Sequence, residues 1–391
     1  MTTPNAAKLA LRFVLLIGIV NFFADLTYEG ARSLTGPFLA SLGASAAIVG
    51  FVAGLGELVG YGLRAFTGYL ADKTHRYWAV TFVGYAINML AVPALALAGK
   101  WPVAAALIVA ERTGRAIRRP AVEAMISHAG KSLGSGWVFG FNEALDQAGA
   151  TIGPLITAFV LYRHGTYRHA FAVLLVSAIL CLITVAVARA LHKRPHELDE
   201  RPAQLRLGKG FPKVYWIYLV AGAFIAAGFA DFSLIAFHFQ KAQIVSSQMI
   251  PIFYAVAMAS GAISALVVGR LFDRFGVPTV AFCLGGSAFF APFVFLGGTT
   301  LALMGMVLWG ISMGVQDSVL KAILSGVVGP EKRGTAFGVF DTGFGIAWFI
   351  GSAVMGLLYE VSIPSLVTFS IVLQLLAVPV LFFSQQRKLN A

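Results

Sequence analysis

Of the 391 residues, 58% are hydrophobic and only 12% are charged, and mean hydropathy is +0.82. The charged share is about half that of an ordinary soluble domain, so composition excludes a water-soluble globule and leaves a chain whose solvent is lipid. The net charge of +12 sits largely in connections between apolar segments, so it reads as a topology signal and an attraction to anionic lipid, with no call for a nucleic acid partner.

Runs of roughly 20 apolar residues, enough to cross a hydrocarbon core of about 30 Å, recur about twelve times. They are helices, because open backbone cannot face lipid. The first run, 10–40, holds the stretch Phe13 to Ala24, which mimics a signal peptide; Asp25 follows without a small-residue cleavage site, so the helix is read as uncleaved. The second, 46–70, carries small residues at Gly50, Gly54, Gly56 and Gly60 and ends in the basic turn Gly68-Tyr69-Leu70-Ala71-Asp72-Lys73-Thr74-His75-Arg76. The third spans 77–98 and the fourth 102–124, the latter with Arg112, Arg115 and Arg119 at three-four spacing. The fifth, 136–162, contains Glu143 and Asp146 and then Gly149, Gly153 and Pro154; the sixth spans 168–190. A polar stretch from Arg189 to Lys213 follows, the only long one. The remaining runs are 213–238, 249–270, 277–298, 300–326, 335–360 and 363–385, and the second of these leads into Gly269-Arg270-Leu271-Phe272-Asp273-Arg274-Phe275-Gly276.

The two basic turns are one motif used twice. At a constant offset of 198 residues Phe139-Gly140-Phe141-Asn142-Glu143 answers Phe337-Gly338-Val339-Phe340-Asp341, and Ile152-Gly153 answers Ile350-Gly351. A weaker echo relates Phe23-Ala24-Asp25 to Phe229-Ala230-Asp231. The expectation is an all-α membrane protein of twelve transmembrane helices in two six-helix bundles related by a pseudo-two-fold parallel repeat: 1–188, a linker at 189–212, and 213–391. Such halves place a site near mid-bilayer where they meet. About 18 of the 29 basic residues fall on the side of Met1, which puts both termini in the cytoplasm and the protein in the inner membrane as a multi-pass chain. Cys181 and Cys283 lie inside apolar runs, which speaks against a disulfide framework.

The turns at 68–76 and 269–276 resemble motif A of the major facilitator superfamily, Gly-x-Leu-x-Asp-Arg-x-Gly, with Lys73 and His75 as departures in the first copy. Gly140, Gly149, Gly153 and Pro154 resemble the spacing of that superfamily's motif C, which ends differently here, in Thr157-Ala158, and Arg112 lies near the place of motif B's arginine. The resemblance covers essentially the whole chain. It implies a secondary transporter working by alternating access. It also implies a gating role for Gly68, Asp72, Arg76, Gly269, Asp273, Arg274 and Asp341, with Asp72 and Asp273 docking on helix amino termini across the two halves. Gly149, Gly153 and Pro154 would groove and bend the fifth helix.

About ten acids lie within predicted spans, each costing roughly 2.5–3.5 kcal/mol at mid-bilayer on insertion scales. They face a wet cavity, pair with arginine or carry protons. A proton carrier must titrate near neutrality, which desolvation or a like-charged neighbour promotes and an arginine opposes. That rule sets aside Glu111 and Glu123, which have arginines four residues away, and favours Asp25, then Asp231 and Glu143, with Glu29 and Asp146 as like-charged neighbours; Arg32 also competes for Glu29. Candidate substrate contacts are Tyr28, Arg32, Glu57, Tyr61, Arg112, Arg115 and Asn142. The histidines lack metal-ligand spacing, no phosphate-binding loop and no catalytic set is present, and no cofactor is expected. The reading is a monomeric carrier of a small organic compound, coupled to protons and favouring export by antiport. The alternatives are proton symport of an organic anion and a non-transporting receptor or scaffold; a membrane enzyme is weaker still.

Overall fold

The computed structural model describes residues 4–74, 76–133, 135–192, 211–325 and 333–389. They form α1 (Pro4–Ser41), α2 (Ala46–Thr74), α3 (Tyr77–Ala94), α4 (Trp101–Leu133), α5 (Ser135–His164), α6 (Tyr167–Leu191), α7 (Lys213–Gly228), α8 (Phe232–Lys241), α9 (Ile250–Phe275), α10 (Val277–Ser287), α11 (Phe290–Phe295), α12 (Thr299–Ser325), α13 (Arg333–Val361) and α14 (Ile363–Leu389). No strand occurs among the described residues.

Eleven segments among the described residues are long and apolar enough to cross a membrane. The fourth expected span, α4, falls outside that set because Glu111, Arg112, Arg115, Arg118, Arg119 and Glu123 interrupt its apolar run. Helix α6 shows why lipid is the right solvent: Phe171, Leu174, Ala178, Cys181 and Val185 are buried on one face, while Val176, Ile179, Ile183 and Val187 are exposed on the other. A helix apolar all round needs a nonpolar surrounding on both sides. The repeat also marks the element boundaries, since the offset of 198 carries Trp101 onto Thr299 and Ser135 onto Arg333, the first residues of α12 and α13.

The chain packs as two compact units, 1–32 with 63–203 and 33–62 with 204–391. Most of the expected linker lies outside the described residues. In the first unit Phe13, Val14, Ile17 and Val20 of α1 pack with Trp78, Tyr85 and Met89 of α3, Val122 and Met125 of α4, and Cys181 and Val185 of α6. Helix α5 reaches α1 through glycines: a Cβ at Gly149 would collide with the Phe22 carbonyl, and one at Gly153 with the Leu26 carbonyl while lying 3.0 Å from Gly30 N. These are the motif C positions, and their work here is close helix approach.

In the second unit, the expected single helix at 213–238 is broken. Helix α7 stops at Gly228, Phe229 is extended, and Asp231 caps α8 by accepting from Ser233 N at 2.8 Å. The freed carbonyls are satisfied inside the protein, Gly228 O by Ser370 Oγ at 2.6 Å and Gln374 Nε2 at 3.0 Å, and Ala230 O by Trp309 Nε1 at 2.9 Å. Irregular backbone at membrane depth persists only with such partners. The expected span at 277–298 is likewise divided, into α10 and α11. Residues 33–62 pack in this unit: Thr35 Oγ1 lies 3.0 Å from Ser233 Oγ, and Ala47 N donates to Glu360 Oε1 at 3.0 Å.

Replacing Gly153 with valine should lower stability by about 1–3 kcal/mol through overpacking against α1. Gly60→Ala, where an added Cβ meets nothing within 4 Å, should stay close to the parent. Thermal unfolding of the purified protein in detergent measures both, and equal losses would contradict the packing assigned to α5.

Candidate functional site

Three helices of the first unit put polar side chains into one open cavity. Helix α1 contributes Asn21, Asp25 and Tyr28, which share a face by three-four spacing. Helix α4 contributes Arg115, Arg118, Arg119 and Glu123, and α5 contributes Asn142, Glu143 and Asp146. Apolar side chains enter only at Val122 and Ile126.

At its centre Asp25 Oδ1 lies 3.9 Å from Arg118 Nη2, and both residues are buried, 8% and 5% exposed. From Arg118 a polarised chain of hydrogen bonds runs across three further helices. Arg118 Nη1 donates to Tyr85 Oη at 3.0 Å, Tyr85 Oη to Asn21 Oδ1 at 3.0 Å, Asn21 Nδ2 to Asn142 Oδ1 at 3.5 Å, and Asn142 Nδ2 to the Val138 carbonyl at 2.9 Å. Each link ends on the donor of the next, the arrangement in which neighbouring hydrogen bonds polarise one another. The Arg118 guanidinium also lies over the Tyr85 ring at 4.4 Å, and that of Arg115 over Tyr28 at 4.3 Å.

Close approach of α3 to α4 makes this possible. A Cβ at Gly84 would lie 2.6 Å from Arg118 N, and one at Gly114 would collide with Asn88 N. Gly68 of the first basic turn packs on Pro120, and Thr67 Oγ1 donates to the Ala116 carbonyl at 2.8 Å, which ties α2 to the same stretch of α4. A second charged group lies further along these helices. Glu111 Oε2 is 3.4 Å from Arg112 Nε, Asn88 Nδ2 donates to Glu111 Oε1 at 2.8 Å, and Glu29 pairs with Arg32 at 4.0 Å.

Six residues expected from sequence therefore meet in one cavity: Asp25, Tyr28, Arg115, Asn142, Glu143 and Asp146. Glu29, Arg32 and Arg112 belong to the adjoining cluster. Glu57, Tyr61, Asp231 and Asp341 lie in the second unit. There Tyr61 stacks edge-on against Phe344 at 5.5 Å, Asp231 is a helix cap, and Asp341 is half-buried. Arg76 and Arg274 are exposed at helix ends, Gly269 has open space around its Cα, and the side chains of Asp72 and Asp273 lie outside the described residues.

Sequence reasoning missed Arg118, Arg119, Tyr85 and Asn21 as members of the site. Arg118 had a signal, its i+3 relation to Arg115. It also reverses one step of the argument, because Asp25 was favoured for lacking a basic neighbour on its own helix, and its arginine comes from α4. The expected Arg119–Glu123 pair is present at 3.0 Å, while Glu111 pairs with Arg112 where Arg115 was the expected partner.

A family model described as Major Facilitator Superfamily matches residues 17–352. An uncharacterised protein of Mycobacterium tuberculosis (strain ATCC 25618 / H37Rv) is 39% identical over 379 residues, covering 95% of this chain and 93% of that one. An uncharacterised MFS-type transporter of Methanocaldococcus jannaschii is 27% identical over 363 residues, covering 89% of each. Among solved structures, that of a D-xylose-proton symporter is similar with a TM-score of 0.70 and 16% identity, covering 95% of this chain and 96% of that one.

Removing the Tyr85 hydroxyl by Tyr85→Phe should cost about 1–3 kcal/mol, because it strands buried donors and acceptors on Arg118 and Asn21. Glu123→Ala breaks a pair whose side chains are 31% and 56% exposed and should cost at most about 1 kcal/mol. Chemical or thermal unfolding of both variants checks the order, and a larger loss for Glu123→Ala would contradict it.

Proposed function

Given that the chain belongs to the Major Facilitator Superfamily of membrane transporters, we propose that it moves a small organic compound by alternating access in exchange for protons, Asp25 being the principal proton carrier. The observation that carries this reading is the buried Asp25–Arg118 pair on the wall of a polar cavity. A carboxylate so placed has two competing partners, the arginine and a proton, so its occupancy can be linked to what enters the cavity. Asp146 on α5 is its like-charged neighbour, Glu143 lines the same cavity beside Asp146, and Glu29 lies a turn along α1.

The resemblance to motif C, a pattern that the superfamily carries mostly in its antiporters, supports export. Gating by Asp72, Asp273 and Asp341 with Arg76 and Arg274, residence in the cytoplasmic membrane with both termini inside, a monomeric state, and movement of 1–188 against 213–391 through the linker belong to the same proposal. Proton symport of an organic anion is a second reading, favoured by the arginines of the cavity and by the likeness to a proton symporter.

Everted membrane vesicles loaded with a metabolite extract outside and acidified inside test the reading. The expected result is accumulation of particular compounds, detected by mass spectrometry, that falls to background with Asp25→Asn while the protein level is preserved. Accumulation at the parental rate in that variant would remove Asp25 as carrier. Uptake only under the reversed gradient would favour symport, and none under either gradient would favour a receptor.

A further inference from the structure

Most charges of the cavity are already matched. Asp25 faces Arg118 and Arg119 faces Glu123, and Glu143 Oε1 accepts from Gln147 Nε2 at 2.9 Å. Glu143 is exposed and its charge is solvated, which leaves two less accessible groups of opposite sign without a counter-charge. The half-buried Arg115 holds its guanidinium over the Tyr28 ring at 4.3 Å, with no carboxylate within ion-pair distance among the described residues. A ring contact uses none of the guanidinium N–H donors, so those that fit a carboxylate in a two-pronged pair stay available. Asp146 Oδ1 is buried and has no hydrogen-bond partner among the described residues. The charged groups around Asp146 are Asp25, Glu143, Arg119 and Arg118, and those around Arg115 are Arg119, Glu29 and Asp25. Asp25 and Arg119 are common to both sets, so the unmatched cation and the unmatched carboxylate border the same part of the cavity.

A solute with one charge satisfies only half of this arrangement. An organic anion on Arg115 would face Asp146 and Glu143, and an organic cation on Asp146 would leave Arg115 unmatched. Like-charge juxtaposition is unfavourable and thereby rejects wrong partners.

We propose that the cavity takes a small zwitterion, with its carboxylate on the in-plane donors of Arg115 and its ammonium on Asp146. The assignment rests on reading this cavity as the transporter's substrate site and adds the substrate class to it. The ammonium stands beside Asp25 and competes there with a proton, while the carboxylate is held by a group that does not change its charge.

The test is thermal unfolding of the purified, detergent-solubilised protein with matched probes of one chain length: 5-aminopentanoate, pentylamine and pentanoate, repeated with 3-aminopropanoate and 4-aminobutanoate to scan the charge separation. The expected result is that at least one amino acid raises the unfolding temperature by about 2–4 °C at saturation, while pentylamine and pentanoate do not. Arg115→Gln should abolish the advantage over pentylamine, and Asp146→Asn the advantage over pentanoate. Arg115→Lys should keep a weaker one, and the ligand-free unfolding temperatures show that each variant folds. Stabilisation by pentylamine or pentanoate equal to that by the amino acids, or by none of the probes, overturns the proposal. These readouts use neither vesicles nor a gradient. Zwitterion binding without proton-driven accumulation would sink the coupling alone, and proton-driven accumulation of a singly charged compound would sink this assignment alone.

Discussion

An aspartate and an arginine buried against each other between lipid-spanning helices are the constraint around which the first unit is arranged. Each charge costs several kcal/mol to remove from water, and that loss is recovered only if the geometry holds the two together and the remaining donors find partners. Arg118 answers this through Asp25, the Tyr85 hydroxyl and the Tyr85 ring, with only its Nε left without a hydrogen-bond partner among the described residues. The demand propagates outward. Tyr85 reaches Arg118 because Gly84 and Gly114 let α3 lie against α4, and Asn142 and Asp146 border the same space because Gly149 and Gly153 let α5 lie against α1. Glycine at these contacts thus serves the charged centre, and packing and chemistry are one design.

The second unit meets the same solvent constraint differently. Its conspicuous acid, Asp231, caps the restart of a broken helix, and the carbonyls exposed by the break accept from Ser370, Gln374 and Trp309. What charge pairing does for α1 and α4, side-chain donors to backbone do here. The two halves share a sequence repeat and the same helix boundaries at α12 and α13, and the first unit adds the pairs Asp25–Arg118, Glu111–Arg112, Glu29–Arg32 and Glu123–Arg119.

How much of this was legible follows from the range of each signal. Spans and their boundaries are local and apolar, and each of the twelve expected segments is built of helix, two of them with a break inside. Intrahelical pairs are local too, so Arg119–Glu123 was readable at four-residue spacing. The partner of Asp25 was not, because nothing in the spacing of α1 shows which face of α4 it meets. Tyr85 sits in an apolar run with the look of packing until its hydroxyl is seen between Arg118 and Asn21. The break after Gly228 did leave a trace, a glycine followed by an aspartate two residues before a serine, which is capping chemistry. Hydropathy averaged over 20 residues smooths such a trace away.

If the Asp25–Arg118 pair organises the unit, its two members are energetically one object. A double-mutant cycle of Asp25→Asn, Arg118→Gln and the double variant, read by unfolding in detergent, tests this most directly. The account predicts that Arg118→Gln alone loses about 3–5 kcal/mol by leaving a buried charge without its counter-charge, and that adding Asp25→Asn restores a substantial part of it. Losses that simply add would contradict it, and Asp25 and Arg118 would then be two separate residues that happen to share a cavity.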